Sequence, residues 1–209
     1  MNRVELGRKF ARVATNAVVS RPRLWRLFRP VMRRQFDALA PQWDEIRSPG
    51  HLAAYELALD ALPSPPARAL DVGTGTGDGA LAIARRFPDA EVVGVDLAEA
   101  MLARAREKLP PDLAGRVGFR AADAASVPDP DESFDLVAHA NMIPFFDEVA
   151  RLLRPGGHAL FAFSAGAETP IYVPFDRLRA ELAKRGFSDF AEFDEGQTTA
   201  LLARKASPA

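Results

Sequence analysis

Between residues 70 and 80 the chain reads Leu70-Asp71-Val72-Gly73-Thr74-Gly75-Thr76-Gly77-Asp78-Gly79-Ala80, an apolar run that meets a helix-patterned one through glycines at alternate positions. Glycines spaced in this way let the backbone turn through positive φ and leave N–H groups open to a ligand at the N-terminus of the next helix. Such a loop seats a nucleotide-type cofactor and requires a strand before it and a helix after it. It does not say which cofactor. The dinucleotide fingerprint GxGxxG fails from Gly73, because position 78 is Asp, whereas the looser GxGxxA fits Gly75, Gly77 and Ala80. A nicotinamide- or flavin-dependent oxidoreductase therefore stays open at this point.

The pattern of strand then helix repeats downstream. Helix-patterned residues 78–87 lead to a second strand, Glu91 to Val95, ending in Asp96. A third apolar run, Val117 to Ala121, precedes Asp123 and a Pro-rich acidic loop, Val127 to Ser133, and a fourth strand runs from Phe134 to Ala138. The remainder predicts a strand at His158–Phe163, a helix near 174–185, and two strands, Phe187–Phe193 and Thr198–Ala203, joined at Glu195-Gly196. Alternation of this kind implies a doubly wound, mostly parallel sheet whose ligands bind beyond the carboxyl ends of its strands. The closing hairpin makes the last strand antiparallel. An acid at the second strand tip, Asp96, is placed to accept from both ribose hydroxyls, although Asp96 and Asp123 serve equally as helix caps.

Composition removes several chemistries. The chain has no cysteine, so disulfides, thiol nucleophiles and thiolate zinc sites are excluded, and its three histidines show no metal-ligand spacing. No apolar run approaches the ~20 residues of a membrane span or forms a signal-peptide core, and a cytoplasmic chain is expected. Charge is unevenly spread. Residues 1–34 carry ten Lys and Arg against Glu5 alone, about +9, while the rest carries about −10. Leu6, Phe10, Val13 and Ala17 recur at helical spacing, and Leu24, Trp25, Leu27, Phe28, Val31 and Met32 form a second apolar cluster beyond Pro22. A basic helix pair of this design fits an anionic membrane surface or an acidic substrate, or docks on its own acidic domain; nucleic acid is the least favoured partner. The connector Leu62-Pro63-Ser64-Pro65-Pro66 divides a basic helical extension or lid, 1–62, from a cofactor-binding domain, 63–209.

Three motifs, two of them between Asp123 and Val137 and one at Leu152–Gly157, carry a family resemblance in order over residues 67–163. Asp123-Ala124 through Pro128-Asp129, with Asp131-Glu132-Ser133-Phe134-Asp135-Leu136-Val137, resembles the third and fourth motifs of class I S-adenosylmethionine (SAM) dependent methyltransferases. Leu152-Leu153-Arg154-Pro155-Gly156-Gly157 resembles the turn before their fifth strand. Phe36-Asp37-Ala38-Leu39-Ala40-Pro41-Gln42-Trp43-Asp44 resembles the FDxxAxxYD segment of ubiquinone and menaquinone type C-methyltransferases, with Trp43 in place of Tyr. The resemblance implies a seven-stranded sheet in the order 3-2-1-4-5-7-6, with strand 7 antiparallel.

It also implies roles. Asp71, Gly73, Thr74, Gly75, Thr76 and Gly77 fall on the loop beneath the methionine part of SAM, and Asp96 on the ribose position. Leu97 and Met101 fall where adenine is packed, and Asp123 with Ala124 where the exocyclic amine is held. Trp43 is a candidate lid residue, and Asn141 and Phe145 are candidate substrate contacts. His139, at the end of the fourth strand, lies nearest the expected methyl position and is the candidate general base or cofactor contact. The substrate walls are expected from residues 1–60 and from Asn141 to Phe146, which are aromatic and aliphatic. The expected function is direct methyl transfer from SAM to a small, largely apolar acceptor. The alternatives are a non-catalytic SAM-binding or membrane-associated protein and, less favoured, an NAD(P)-dependent oxidoreductase.

Overall fold

The strands that hold the middle of the protein are largely apolar, as strands buried on both faces are. The computed structural model describes residues 3–207, and it describes side chains from Gly7 onward, so Arg3, Glu5 and Leu6 of the basic segment lie outside the described side chains. The strand β4 (Phe134–Ala140) is buried at every position but the last, and β1 (Arg68–Val72) at every position but the first. They pair in parallel, with Leu70 opposite Val137, and β1 pairs on its other side with β2 (Glu91–Asp96), with Leu70 opposite Val93. Outward lie β3 (Val117–Ala121) on one side and β5 (Leu153–Phe163), β7 (Thr198–Lys205) and β6 (Phe187–Glu195) on the other. The order is β3-β2-β1-β4-β5-β7-β6, with β7 antiparallel to both neighbours. This is the expected topology.

One boundary departs from expectation. The segment Arg154–Gly157, read as a turn before the fifth strand, belongs to β5, because Leu153 already pairs with Phe134 and a register irregularity absorbs the residues between. Gly157 permits this: a Cβ there would stand 3.0 Å from the backbone oxygens of both Asp135 and Arg154.

Helices cover both faces. On one face α3 (Ala53–Asp60) and α4 (Asp78–Arg86) bury Tyr55, Leu59, Ala80 and Ile83 against Leu136, Leu160 and Leu202. On the other, α6 (Phe146–Leu152) and α7 (Phe175–Ala183) share a cluster with α1 (Arg3–Ser20) and α2 (Trp25–Leu39) through Val18, Trp25, Met32, Phe146, Phe161 and Leu178. The helix α5 (Glu99–Lys108) follows β2. The basic extension is thus docked by its apolar side on its own sheet domain. Arg8 and Arg12 donate to the backbone oxygens of Glu168 and Ala167, at 2.8 and 2.9 Å, and Arg177 donates to Ser20 Oγ at 2.9 Å. The chain breaks between α1 and α2 at Pro22, which opens a short 3-10 turn. The helix α3 lies in the layer on the sheet, where the N–H of Ala54 donates to Thr198 Oγ1 at 2.8 Å. The segment that leaves the sheet and covers its edge therefore ends ahead of α3.

Candidate functional site

The carboxyl ends of β1, β2 and β4 open into a pocket of about 700 Å³, measured with its mouth. Two glycines set its floor. Gly73 has φ +69° and runs so close to Met142 that a Cβ would lie 2.7 Å from the sulfur. Gly75 has φ +54°, and a Cβ there would lie 3.3 Å from Trp43 Nε1. Both turns suit glycine alone at small cost.

Asp96 ties this loop to the next helix. Its Oδ2 accepts from the N–H of Gly75 at 2.9 Å and its Oδ1 from the N–H of Ala98 at 2.8 Å, so the β2 carboxylate aligns two elements that line the pocket. Burial raises its pKa, and the backbone N–H groups of Ala98, Gly75 and Leu97 oppose the rise. Leu97 and Met101 line the same pocket and Met101 is buried, as packing against a base would require.

Asp71 stands elsewhere. It is buried behind the loop, outside the pocket lining, where Thr74 Oγ1 donates to its Oδ2 at 2.6 Å. Burial lifts its pKa to about 6, against hydrogen bonds from Thr74 and the Ala80 backbone. The expected cofactor contact is in this structure an internal brace of the loop. Thr74, Thr76 and Gly77 likewise do not line the pocket; the Gly77 N–H donates to the Thr74 oxygen at 2.9 Å and closes the turn.

A clamp crosses the top of the loop. Thr76 Oγ1 donates to Asp44 Oδ1 at 2.5 Å, and Lys108 reaches Asp44 at 3.0 Å and Asp78 at 2.6 Å. Arg47 Nη1 donates to Asp78 Oδ2 at 2.6 Å. Burial acts to raise the Asp78 pKa, but hydrogen bonds from His51 and Lys108 and the charges of Arg47 and Lys108 hold it far below the usual carboxylate range. Further back, the N–H of Ala100 donates to Asp37 Oδ1 at 3.2 Å. Trp43 packs edge-on against Phe36, with centroids 5.5 Å apart, and lines the pocket. Two donors in this clamp are buried without an acceptor, Trp43 Nε1 and Arg47 Nε.

The third acidic tip is already engaged. Asp123 Oδ1 accepts from Trp25 Nε1 at 2.7 Å and from the Ala125 N–H at 3.0 Å, and Arg29 donates to its Oδ2 at 2.9 Å. Asp123 therefore latches α2 to the end of β3, while its neighbours Ala122 and Ala124 line the pocket. Phe145 is buried edge-on against Trp25, 5.3 Å between centroids, behind the wall. Asn141 does line the pocket, in a left-handed conformation with φ +55°, and its Oδ1 accepts from the Ser164 N–H at 2.9 Å.

His139 is corrected by the structure. It is 2% exposed, stacks on Phe161 at 4.7 Å and 16°, and is absent from the pocket lining. Burial lowers its pKa to about 4, so it is neutral near pH 7 and too weak a base for general-base work there. In β4 the side chain of residue 139 turns into the helical layer, and it is Ala140 that reaches the pocket.

Within residues 1–60, where walls are expected, the lining comes from Trp25, Met32, Arg33 and Phe36 on α2 and from Trp43 and Arg47; Ile171 after β5 lies outside the segments expected to form walls. The first and last of the α2 set are spaced at helical multiples, a signal present in the sequence but also shared by any helix that packs on a core. Arg47 sits four residues after Trp43, and its cation stands 5.2 Å from the Trp43 ring. The described residues hold no cluster of three or more potential metal ligands.

Similar proteins agree with this geometry. The Methyltransferase domain family matches residues 69–157, from β1 into β5. A demethylmenaquinone methyltransferase of Thermus thermophilus is 41% identical over 135 residues, 58% of this chain and 60% of the relative. A ubiquinone/menaquinone biosynthesis C-methyltransferase of Geotalea daltonii is 31% identical over 166 residues, 70% of this chain and 67% of the relative. The chain spans 46 to 60% of the length of the first curated relatives that it matches. The crystal structure of the 4+2 cyclase SpnF shares the fold, with a TM-score of 0.67 at 19% identity over 85% of this chain and 96% of that one. Sheet order, glycine loop and a curated relative matched over two thirds of its length converge: the chain belongs to the class I SAM-dependent methyltransferases.

Proposed function

We propose that this chain binds SAM in the pocket beyond β1, β2 and β4 and transfers its methyl group to a small, largely apolar acceptor. The observation that carries the reading is one pocket in which Gly73, Gly75, Asp96, Leu97 and Met101 meet. These residues fit the cofactor: glycines for close backbone approach, a carboxylate for ribose hydroxyls, two apolar side chains for a base. When bound, the cofactor supplies an electrophilic methyl on a sulfonium sulfur.

The residues themselves align and exclude water. Asp96 accepts from the sugar while its own orientation is held by Gly75 and Ala98. Trp25, Met32 and Phe36 close the apolar side, which keeps water from the reacting centre and favours an acceptor of similar polarity. The ionisable side chains that line the pocket are Arg33, Arg47 and Asp96, none of them a free base, so alignment is the protein's main contribution. Asn141 and the adjoining Met142 and Ile143 face the acceptor. Quinone C-methylation in the relatives' names agrees with an apolar acceptor.

Of the extension expected over residues 1–62, the part ahead of α3 acts as lid while α3 joins the methyltransferase unit of 63–209, and residues 1–34 meet an anionic membrane surface from the cytoplasm. The support is one face of α2 and the turn ahead of it, where Arg23, Arg26 and Arg34 are exposed without an ion partner among the described residues, and where Leu27 is 71% and Val31 48% exposed. No described helix is long and apolar enough to cross a membrane.

Calorimetry with S-adenosylhomocysteine and with NAD tests the cofactor, and transfer of label from SAM across an acceptor panel tests the reaction. Heat with the first ligand alone and label on an apolar acceptor are expected. No heat with S-adenosylhomocysteine, heat with NAD, or label only on RNA or protein overturns the reading. Binding without transfer to any acceptor favours the non-catalytic alternative.

A further inference from the structure

The charged groups that line the pocket differ in how far they are already committed. Asp96 accepts from two backbone N–H groups, and Arg47 is held by Asp78 at 2.6 Å. Arg33 is the exception. Its Nε stands 3.7 Å from Asp37 Oδ2, beyond hydrogen-bond reach, and Asp37 Oδ1 already accepts from the Ala100 N–H at 3.2 Å. The two Nη groups of Arg33 have no hydrogen-bond partner among the described residues. An exposed pair at that separation contributes little, so the guanidinium fork is free to take another acceptor.

The place of Arg33 on α2 says what kind of ligand meets it. Arg33 lines the pocket although its side chain is 58% exposed, which sets it at the mouth. Its helix neighbours Met32 and Phe36 turn inward with Trp25 and make an apolar wall. One turn earlier Arg29 is neutralised by Asp123, and two turns earlier on the same row Arg26 is exposed with no ion partner among the described residues. A ligand lying along this wall therefore meets hydrocarbon and rings inside and an uncommitted cation at the rim. The planar fork presents parallel N–H groups that match the oxygens of a carboxylate or a phosphate.

We infer that Arg33 receives an ionised acid group carried by the methyl acceptor, which makes the acceptor an amphiphile with its apolar body against Trp25, Met32 and Phe36 and its anionic group at the mouth. The inference rests on the proposed transfer to an apolar acceptor and narrows its class. At the mouth the acid keeps part of its hydration, so desolvation stays small while the charge pair fixes which end of the acceptor enters first.

The test is calorimetry in saturating S-adenosylhomocysteine with two apolar bodies, naphthyl and decyl, each as carboxylate, phosphate ester and alcohol. The wild type is expected to bind an acid of at least one body about tenfold more tightly than the matching alcohol, and the favoured acid identifies the group. Arg33→Met should remove that preference while alcohol binding stays within about threefold, and Arg33→Lys, which keeps charge without the fork, should retain part of it. Arg33→Gln serves if Arg33→Met does not fold. Arg26→Met, on the same row but outside the pocket lining, should change neither ligand by more than about threefold. A wild type with no preference for an acid over its alcohol, absence of binding included, overturns the inference. Equal weakening of acid and alcohol by Arg33→Met would make the side chain a wall only, and an equal loss from Arg26→Met would assign the preference to the basic helix as a whole; either also overturns it. Wild-type protein that gives no heat with S-adenosylhomocysteine defeats the SAM reading itself, an outcome distinct from all of these.

Discussion

The glycine loop and the helix that covers it reach the same pocket by opposite means. The loop is built from backbone: positive-φ glycines at 73, 75 and 77, N–H groups on Asp96, and a buried carboxylate beneath. The helix α2 is built from side chains. Trp25 and Arg29 latch it to Asp123, and Met32 and Phe36 fill the gap, while its outer stripe of Arg26, Leu27, Val31 and Arg34, continued by Arg23 in the turn ahead of it, faces solvent. A backbone device tolerates almost no substitution, because an added atom has nowhere to go. A side-chain device is graded, and one of its two faces is free to vary without affecting the other.

The strongest way to break the contrast is Gly77→Val. A Cβ at this position would lie 2.9 Å from Phe119 Cζ and 3.2 Å from Ala105, at φ +91°. Backbone strain and overpacking together should cost about 3–5 kcal/mol of unfolding free energy in urea titration. An equivalent change on the outer stripe, Val31→Ser, should stay within about 0.5 kcal/mol. Comparable losses at both positions would erase the distinction.

Acid titration sharpens it at the strand tips. Asp71 titrates near 6 in the folded protein, above its ordinary value, so the folded state holds the extra proton and this group makes the protein more stable as pH falls from 6 towards 4. His139 titrates near 4, below its ordinary value, so the unfolded state takes up the proton first and stability falls as pH drops from 6.5 to 4. The two oppose each other over one window. Relative to wild type, Asp71→Asn should lose up to about 3 kcal/mol more between pH 6.5 and 4, and His139→Phe should gain a similar amount. Urea midpoints at the two pH values decide this, and parallel slopes in all three proteins would refute it.

Smaller effects belong to the cover. Trp25→Phe keeps the ring against Phe145 and removes one donor from Asp123, which still holds Arg29 and the Ala125 N–H. Loss of about 1–2 kcal/mol is expected, read as faster amide exchange in α2 with β1 and β4 unchanged. Uniform acceleration would mean that the cover and the sheet unfold as one unit. Smallest in stability is the triple change Arg23→Glu, Arg26→Glu and Arg34→Glu, within about 0.5 kcal/mol, yet it should abolish flotation with vesicles rich in phosphatidylglycerol. Retained flotation would remove the outer stripe from any membrane contact.

The legible part of the site is the part made by neighbours in the chain. Gly73 and Gly75 follow β1, and Asp96, Leu97 and Met101 end β2 and begin α5, so the pairing of two consecutive parallel strands brings these local groups together. Trp43 was legible through the segment around it, and its unpaired indole was not. Asp71, Asp96 and Asp123 look equivalent as strand-tip acids, yet only Asp96 lines the pocket: one turn of the loop buries Asp71, and a helix from nearly a hundred residues away claims Asp123. His139 looked exposed because its strand ends there, but strand alternation turns it away from the pocket.

Sequence alone determined the doubly wound sheet and the glycine loop, since these follow from periodicity and from φ values open to glycine, while the strand order was implied by the family resemblance. Tertiary structure decided which acid meets the ligand, which arginine of the many is held beside it, and which face of α2 becomes a wall. Those choices depend on contacts between residues far apart in the chain, where burial and the supply of hydrogen-bond partners, and no local spacing, select the arrangement.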